Sequence, residues 1–179
     1  MRLFNRTFLL ITTFCAILFL QGCGDEKNPF QVTFNAPEPY DLSKADSSYT
    51  TEDGLKVYII KEGVGDFKTN IKSQIAVYYT GRKIENGSIG EIFDTTYKNE
   101  RTTPGILRNL TPTDKKGPSG PISPLIEGFR RALLDMREGG KRVVIIPPSL
   151  GYGDAQEGTS GYNLRNDTLR FDIELEEIL

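Results

Sequence analysis

Val77-Tyr78-Tyr79-Thr80-Gly81, followed twelve residues later by Phe93-Asp94, is the stretch whose reading decides the fold. Apolar and aromatic residues running up to a glycine describe a half-buried strand entering a turn. The second element sets an aromatic ring and a carboxylate side by side. The chain contains 0 histidines, so a lone acid in aromatic company suits a binding pocket better than an acid–base centre. Tyr79 competes with its neighbour Tyr78 for the inner face, because a one-residue change of register exchanges them.

Working outward from this stretch, residues 55–61 read as a strand after the Asp53-Gly54 turn. Residues 74–80 form a second strand, and 91–95 a third after the Asn86-Gly87 turn signal. Residues 102–124 are rich in Pro, Gly, Thr and Lys without a period and read as loop. Pro124 then opens a short helix whose apolar face is Ile126, Phe129, Leu133 and Met136, and Gly139-Gly140 ends it. Residues 141–146 are a β-branched strand stopped by Pro147-Pro148. Residues 168–175 are the last strand, with Leu169, Phe171, Ile173 and Leu175 inward and Thr168, Arg170, Asp172 and Glu174 outward. Antiparallel strands around one short helix make an α+β domain.

The N-terminal region reads differently. Arg2 and Arg6 precede an apolar run from Phe8 to Leu20, shorter than the roughly 20 residues of a spanning helix. This is the pattern of a secretory signal. Leu20-Gln21-Gly22-Cys23 resembles the bacterial lipoprotein box, in which the cysteine is acylated and becomes the mature N-terminus; an ordinary signal peptide ending near a cysteine is the alternative. Cys15 would leave with the leader, and acylation of Cys23 removes the liability of a single free thiol in an exported domain. The expected organisation is therefore a lipoprotein signal at 1–22, a flexible tether at 23–48 and a folded domain at 49–179. Phe30, Phe34 and Tyr40 offer the tether an alternative, packing onto the domain.

Loss of Arg2 and Arg6 would leave 20 basic residues against 24 acidic ones. An excess of acid argues against a nucleic-acid partner, which calls for a basic footprint. Without histidine or a usable thiol a zinc site is nearly excluded, and no calcium-loop motif is present. Neither a metal nor another cofactor is expected.

Seven fragments in one order resemble the FKBP-type peptidyl-prolyl isomerases. They are Gly54-Leu55 through Glu62-Gly63-Val64-Gly65, then Val77 to Gly81, then Gly90-Glu91-Ile92-Phe93-Asp94. Next come Pro124-Leu125-Ile126-Glu127-Gly128-Phe129, and Met136 with residues 139–146. Pro147-Pro148-Ser149-Leu150-Gly151-Tyr152-Gly153 and Phe171-Asp172-Ile173-Glu174-Leu175 complete the set. Each fragment alone is weak; their joint order and spacing are specific. The lipoprotein box on such a domain is more loosely similar to the gliding-motility-associated isomerase lipoproteins of Bacteroidetes.

The resemblance implies an antiparallel sheet of about five strands curled around the helix, with a substrate proline held between them. Matched motif by motif, the catalytic residues would be Tyr79, Phe93, Asp94, Ile126 and Tyr152. Leu125, Phe129 and Phe171 would bind substrate, Phe129 standing where the family often has tryptophan. The family pattern implies that the Ile126 N–H and the Tyr152 hydroxyl donate hydrogen bonds to substrate carbonyls, and that the Tyr79 hydroxyl holds Asp94. On pattern alone Phe129 and Phe171 are plain core, Asp94 caps a turn with Thr95 and Thr96, and Tyr152 is a loop residue.

The implied function is peptidyl-prolyl cis-trans isomerisation during folding of envelope proteins, on a bacterial membrane, with the domain facing the periplasm from the outer membrane. The implied partners are proline-containing polypeptides, the membrane through the lipid, and macrolide ligands of the FK506 and rapamycin type. The alternative is a non-catalytic FKBP-fold chaperone or binding module of an envelope assembly such as a gliding or secretion machine. Two departures from the family bear on this choice. Residues 161–167 replace an Ile-Pro pair that closes over the proline, leaving Tyr162 or Leu164 for the apolar role. Residues 107–123 are longer than the minimal pattern and form either a flap beside the site or a solvated insertion.

Overall fold

The Asn86-Gly87 pair turns one long hairpin through about half a circle. Asn86 (φ 51°) and Gly87 (φ 79°) both take the left-handed conformation that a two-residue hairpin loop requires. A turn this tight lets pairing run right up to it, so both flanking strands are longer than the sequence pattern suggests. The computed structural model describes residues 32–179, and among these are nine strands and one α-helix. In chain order the strands are β1 (Ser47–Thr50), β2 (Lys56–Lys61), β3 (Ile75–Glu85), β4 (Ser88–Thr95), β5 (Gly105–Leu107), β6 (Lys115–Gly117), β7 (Gly120–Ile122), β8 (Lys141–Ile146) and β9 (Thr168–Ile178). The helix, α1, spans Glu127–Leu133.

Seven strands form one antiparallel sheet in the order β1-β2-β8-β9-β3-β4, with β5 on β3 beside them. The α+β class with one short helix is as expected. The sheet exceeds the expected five strands because β1 and β5 are short, and neither carries an alternation of its own: all four residues of β1 are exposed. β6 and β7 make a separate hairpin.

One face of the sheet carries the core. Val57, Val77, Val144, Leu169, Ile173 and Leu175 are fully buried there against Phe129, Ala132 and Leu133 of α1. The helix lies close because Gly128 has no side chain: a Cβ there would stand 2.6 Å from Ile146 Cγ2. It ends at Leu133, earlier than the Gly139-Gly140 stop implies. Competing partners cut it short. Arg142 of β8 donates to the Ala132 and Leu134 carbonyls at 2.8 and 2.7 Å. Thr69 donates through its hydroxyl to Leu133 O at 2.5 Å and accepts the Met136 N–H at 2.9 Å. These side chains satisfy groups that further helical turns would otherwise pair. Met136 is buried all the same, from beyond the helix.

The other face is covered rather than solvated. Arg170 and Asp172, outward by alternation, are only 3% and 8% exposed. The chain from Pro37 to Tyr40 is drawn over them, so the described part of the supposed tether, residues 32–48, belongs to the same compact unit as the sheet. Asp172 accepts from Arg82 Nη1 (3.0 Å), Arg170 Nε (3.1 Å) and Arg170 Nη2 (2.7 Å), and also from the Tyr40 N–H (2.9 Å). Two arginines against one carboxylate leave donors to satisfy, and the covering chain supplies acceptors. Pro37 O takes Arg82 Nη2 at 2.6 Å and Tyr40 O takes Arg170 Nη2 at 2.6 Å. Leu42–Lys44 then form a 3-10 turn capped by Asp41 before β1 begins.

Candidate active site

The site begins with a fault in the β3–β4 ladder. Gly81 pairs with Asp94 and Arg82 with Ile92, so Phe93 is an extra residue on β4. In a regular strand Phe93 and Asp94 would point to opposite faces. The bulge re-aims them so that both address the core side. Phe93 meets Phe171 edge-on at 5.5 Å between ring centroids, and Asp94 Oδ2 accepts the Tyr79 hydroxyl at 2.8 Å. Gly81 is required beneath them: a Cβ there would lie 2.8 Å from both the Phe171 and Phe93 rings.

The register of β3 settles which tyrosine faces inward. Tyr79 opposes Ile173 on β9 and packs against Phe129 and Phe171, at 5.2 and 6.1 Å between centroids. Tyr78 faces the other way, stacks on Tyr97 at 5.6 Å and donates to Thr102 O at 2.9 Å. Phe129 and Phe171 stack at 4.4 Å and are nearly buried. They are core residues, and at the same time the floor beneath Tyr79 and Phe93. Asp94 does not cap the following turn; Thr95 and Thr96 donate to Tyr79 O instead, at 2.9 and 3.3 Å.

Two donors stand at the rim without partners among the described residues. Ile126 is the N-cap of α1, and its N–H finds no acceptor while its carbonyl receives the Arg130 N–H. Tyr152 sits between two glycines after the 3-10 turn Pro148–Leu150, and its hydroxyl also lacks a partner. Its ring and that of Leu125 pack against the core cluster, as does Ile126. Burial, with Asp94 adding to it, raises the Tyr152 phenol above the usual tyrosine range. The Tyr79 phenol is raised further, first by burial and then by the charge of Asp94 and its hydrogen bond to it. Both hydroxyls therefore remain donors throughout the neutral range.

The 160s loop closes by a different device from the expected Ile-Pro pair. Gly161 takes φ 87°, and a Cβ there would stand 2.0 Å from the Tyr152 ring, so only a glycine backbone can approach that ring so closely. The 3-10 turn Tyr162–Leu164 follows. Leu164 packs onto the core cluster, whereas Tyr162 is stacked under the Arg165 guanidinium at 3.9 Å. Leu164 is thus the inward apolar residue.

The insertion at 107–123 is not a plain solvated loop. Leu110 is fully buried, and Asn109 Nδ2 donates to Thr113 O and Ile122 O at 2.9 and 2.8 Å, tying the β6–β7 hairpin to its root. A cleft between Ile106, Arg108 and Ile122 reaches Leu125 at the rim of the site.

One neighbour escaped the sequence reading. Lys98 extends its ammonium to Asp94 Oδ1, so the carboxylate is held by a phenol on one oxygen and a cation on the other. A lysine four positions after the acid was the available signal, but it falls outside every matched fragment. Cys23, the proposed lipidation residue, lies outside the described residues.

Comparison with known proteins bears on this geometry. Residues 65–176 match the family model of the FKBP-type peptidyl-prolyl cis-trans isomerases. The chain is 32% identical over 136 residues to FK506-binding protein 2 of Candida glabrata, covering 74% of this chain and 86% of that one. It is 35% identical over 123 residues to the peptidyl-prolyl cis-trans isomerase Mip of Chlamydia muridarum, covering 69% of this chain but only 40% of Mip. Among solved structures, FkpA from Escherichia coli superposes with a TM-score of 0.54 at 26% identity, over 76% of this chain and 54% of FkpA. AtFKBP13 superposes with a TM-score of 0.52 at 27% identity, over 74% of this chain and 99% of its own. The chain belongs to the FKBP-type peptidyl-prolyl cis-trans isomerase family.

Proposed function

We propose that this protein catalyses cis-trans isomerisation of X-Pro bonds in polypeptides. The observation that carries the reading is an aromatic floor of Phe93, Phe129 and Phe171 rimmed by two unpartnered donors, the Ile126 N–H and the Tyr152 hydroxyl. Rotation about the amide is opposed by resonance, with a barrier of about 18–20 kcal/mol, and uncatalysed exchange takes roughly 10–100 s. No bond is broken, so no nucleophile or proton carrier is needed. The planar amide is charge-separated and the twisted amide is less polar, so an apolar, water-poor floor favours the twisted state relative to the planar one. The two donors would bind substrate carbonyls and fix the peptide on either side of the rotating bond. Asp94, held by Tyr79 and Lys98, would set the polarity beside the proline ring. Each reduction of the barrier by about 1.4 kcal/mol gives tenfold in rate, so a few such contacts suffice.

The setting we propose is the cell envelope. The leader-like residues 1–22 and Cys23 support a lipid-anchored protein on a bacterial membrane, at the outer membrane facing the periplasm, acting on envelope proteins as they fold. Macrolides of the FK506 type are expected to compete for the same aromatic floor. Isomerisation of a short proline peptide, with and without such a macrolide, tests the activity: acceleration abolished by the macrolide supports it, and a folded protein without acceleration refutes it. Mass spectrometry of the mature N-terminus tests the anchor. An acylated Cys23 is expected; an unmodified start at another residue removes the lipid from the account.

A further inference from the structure

Lys98 reaches Asp94 from a loop that is not held by the sheet alone. Asn99 and Glu100, which follow it, take φ of 52° and 62°, a left-handed pair of non-glycine residues. Such residues cost about 1 kcal/mol or more each and persist only where their surroundings hold them. The holding contacts come from the N-terminal segment. Phe34 forms an antiparallel bridge with Lys98. Thr33 and Asn99 are joined twice: the Asn99 N–H donates to Thr33 O at 2.9 Å, and the Thr33 N–H donates to Asn99 Oδ1 at 3.2 Å. The Asn35 N–H donates to Tyr97 O at 3.4 Å. Two residues further on, Pro37 is fixed by the buried Arg82. The segment is therefore pinned at one end to the ion cluster on the outer face of the sheet and at the other to the loop that presents Lys98.

We propose that residues 33–35 are a clamp that positions Lys98 on Asp94, making Lys98 a positioning residue of the proline site. The inference rests on the isomerase reading for its effect on rate. The clamp keeps the strained loop in register, the loop keeps the ammonium on Oδ1, and the ammonium leaves Oδ2 to the Tyr79 hydroxyl.

The test uses the full chain and four variants: Thr33→Pro, Lys98→Met, Lys98→Arg and the Thr33→Pro/Lys98→Met double. Thr33 is exposed, so its substitution leaves no cavity; proline removes the N–H that binds Asn99 Oδ1 and fixes φ at about −65°. Isomerisation of a proline peptide is measured alongside the carboxyl ¹³C resonance of Asp94. Thr33→Pro and Lys98→Met should each lower kcat/KM about threefold to tenfold. The double should be no slower than Lys98→Met alone, and Lys98→Arg should recover the rate lost in Lys98→Met. The Asp94 resonance should move in the same direction in Thr33→Pro and Lys98→Met. A Thr33→Pro protein with unchanged rate and unchanged resonance overturns the clamp. So does a loss that adds in full to that of Lys98→Met. A wild-type protein without isomerase activity refutes the isomerase reading instead, and the Asp94 resonance then decides the clamp by itself.

Discussion

Both oxygens of Asp94 are engaged, one by the Tyr79 hydroxyl and one by the Lys98 ammonium, which suits an acid that orients and polarises rather than one that exchanges protons. If so, the isomerisation rate is expected to be flat between about pH 6 and 9, a range in which no histidine titrates because the chain has 0. Tyr152→Phe, which removes a rim donor and leaves the ring, should lower kcat/KM about fivefold with the thermal midpoint nearly unchanged. Stability carries its own pH signature. The Tyr40, Tyr79 and Tyr152 phenols are all raised, burial being the first cause in each. A phenol whose folded pKa lies above its unfolded value of about 10 contributes stability that is complete below that value and is lost as pH rises toward the folded one. Urea unfolding should therefore show stability falling from about pH 10 upward, with a shallower fall in Tyr79→Phe. Gly81 offers a steric test. Its substitution by alanine pushes a methyl into the Phe93 and Phe171 rings, and is expected to cost about 1–3 kcal/mol in denaturant unfolding together with a loss of activity.

Among the elements, those with an alternating apolar face were legible in the sequence and those fixed by tertiary partners were not. β9 announces itself by alternating apolar and polar residues, β3 by its apolar and aromatic run up to Gly81 and β8 by its β-branched residues, and the Asn86-Gly87 pair marks its hairpin. The end of α1 is set by Arg142 and Thr69, residues distant in sequence, so no local signal moves the stop from Gly139 back to Leu133. Arg170 and Asp172 follow the outward alternation faithfully; what the pattern lacked was the chain from Pro37 to Tyr40 that covers them. The site shows the same division. The rings of Tyr79, Phe93, Phe129 and Phe171 touch one another and Asp94 accepts the Tyr79 hydroxyl, while the bulge that lets Phe93 and Asp94 share a face and the lysine that holds Asp94 are visible only in three dimensions. The buried ion cluster yields a prediction at this scale. Asp172→Ala leaves Arg82 and Arg170 buried without their carboxylate and should cost about 3–5 kcal/mol, measured by chemical denaturation.

Across the whole molecule, one sheet serves two purposes on its two faces. The inner face packs α1 and carries the aromatic floor; the outer face binds the N-terminal segment through the ion cluster and delivers that segment to the loop bearing Lys98. The central claim is that this arrangement accelerates rotation about an X-Pro bond. Exchange spectroscopy on the cis and trans resonances of a short proline peptide measures that rotation without any coupled reaction. The account predicts cis-trans exchange far faster than the uncatalysed roughly 10–100 s, sharply reduced in Asp94→Ala and in Tyr152→Phe while both variants remain folded. Exchange at the uncatalysed rate in the presence of folded wild-type protein would contradict it.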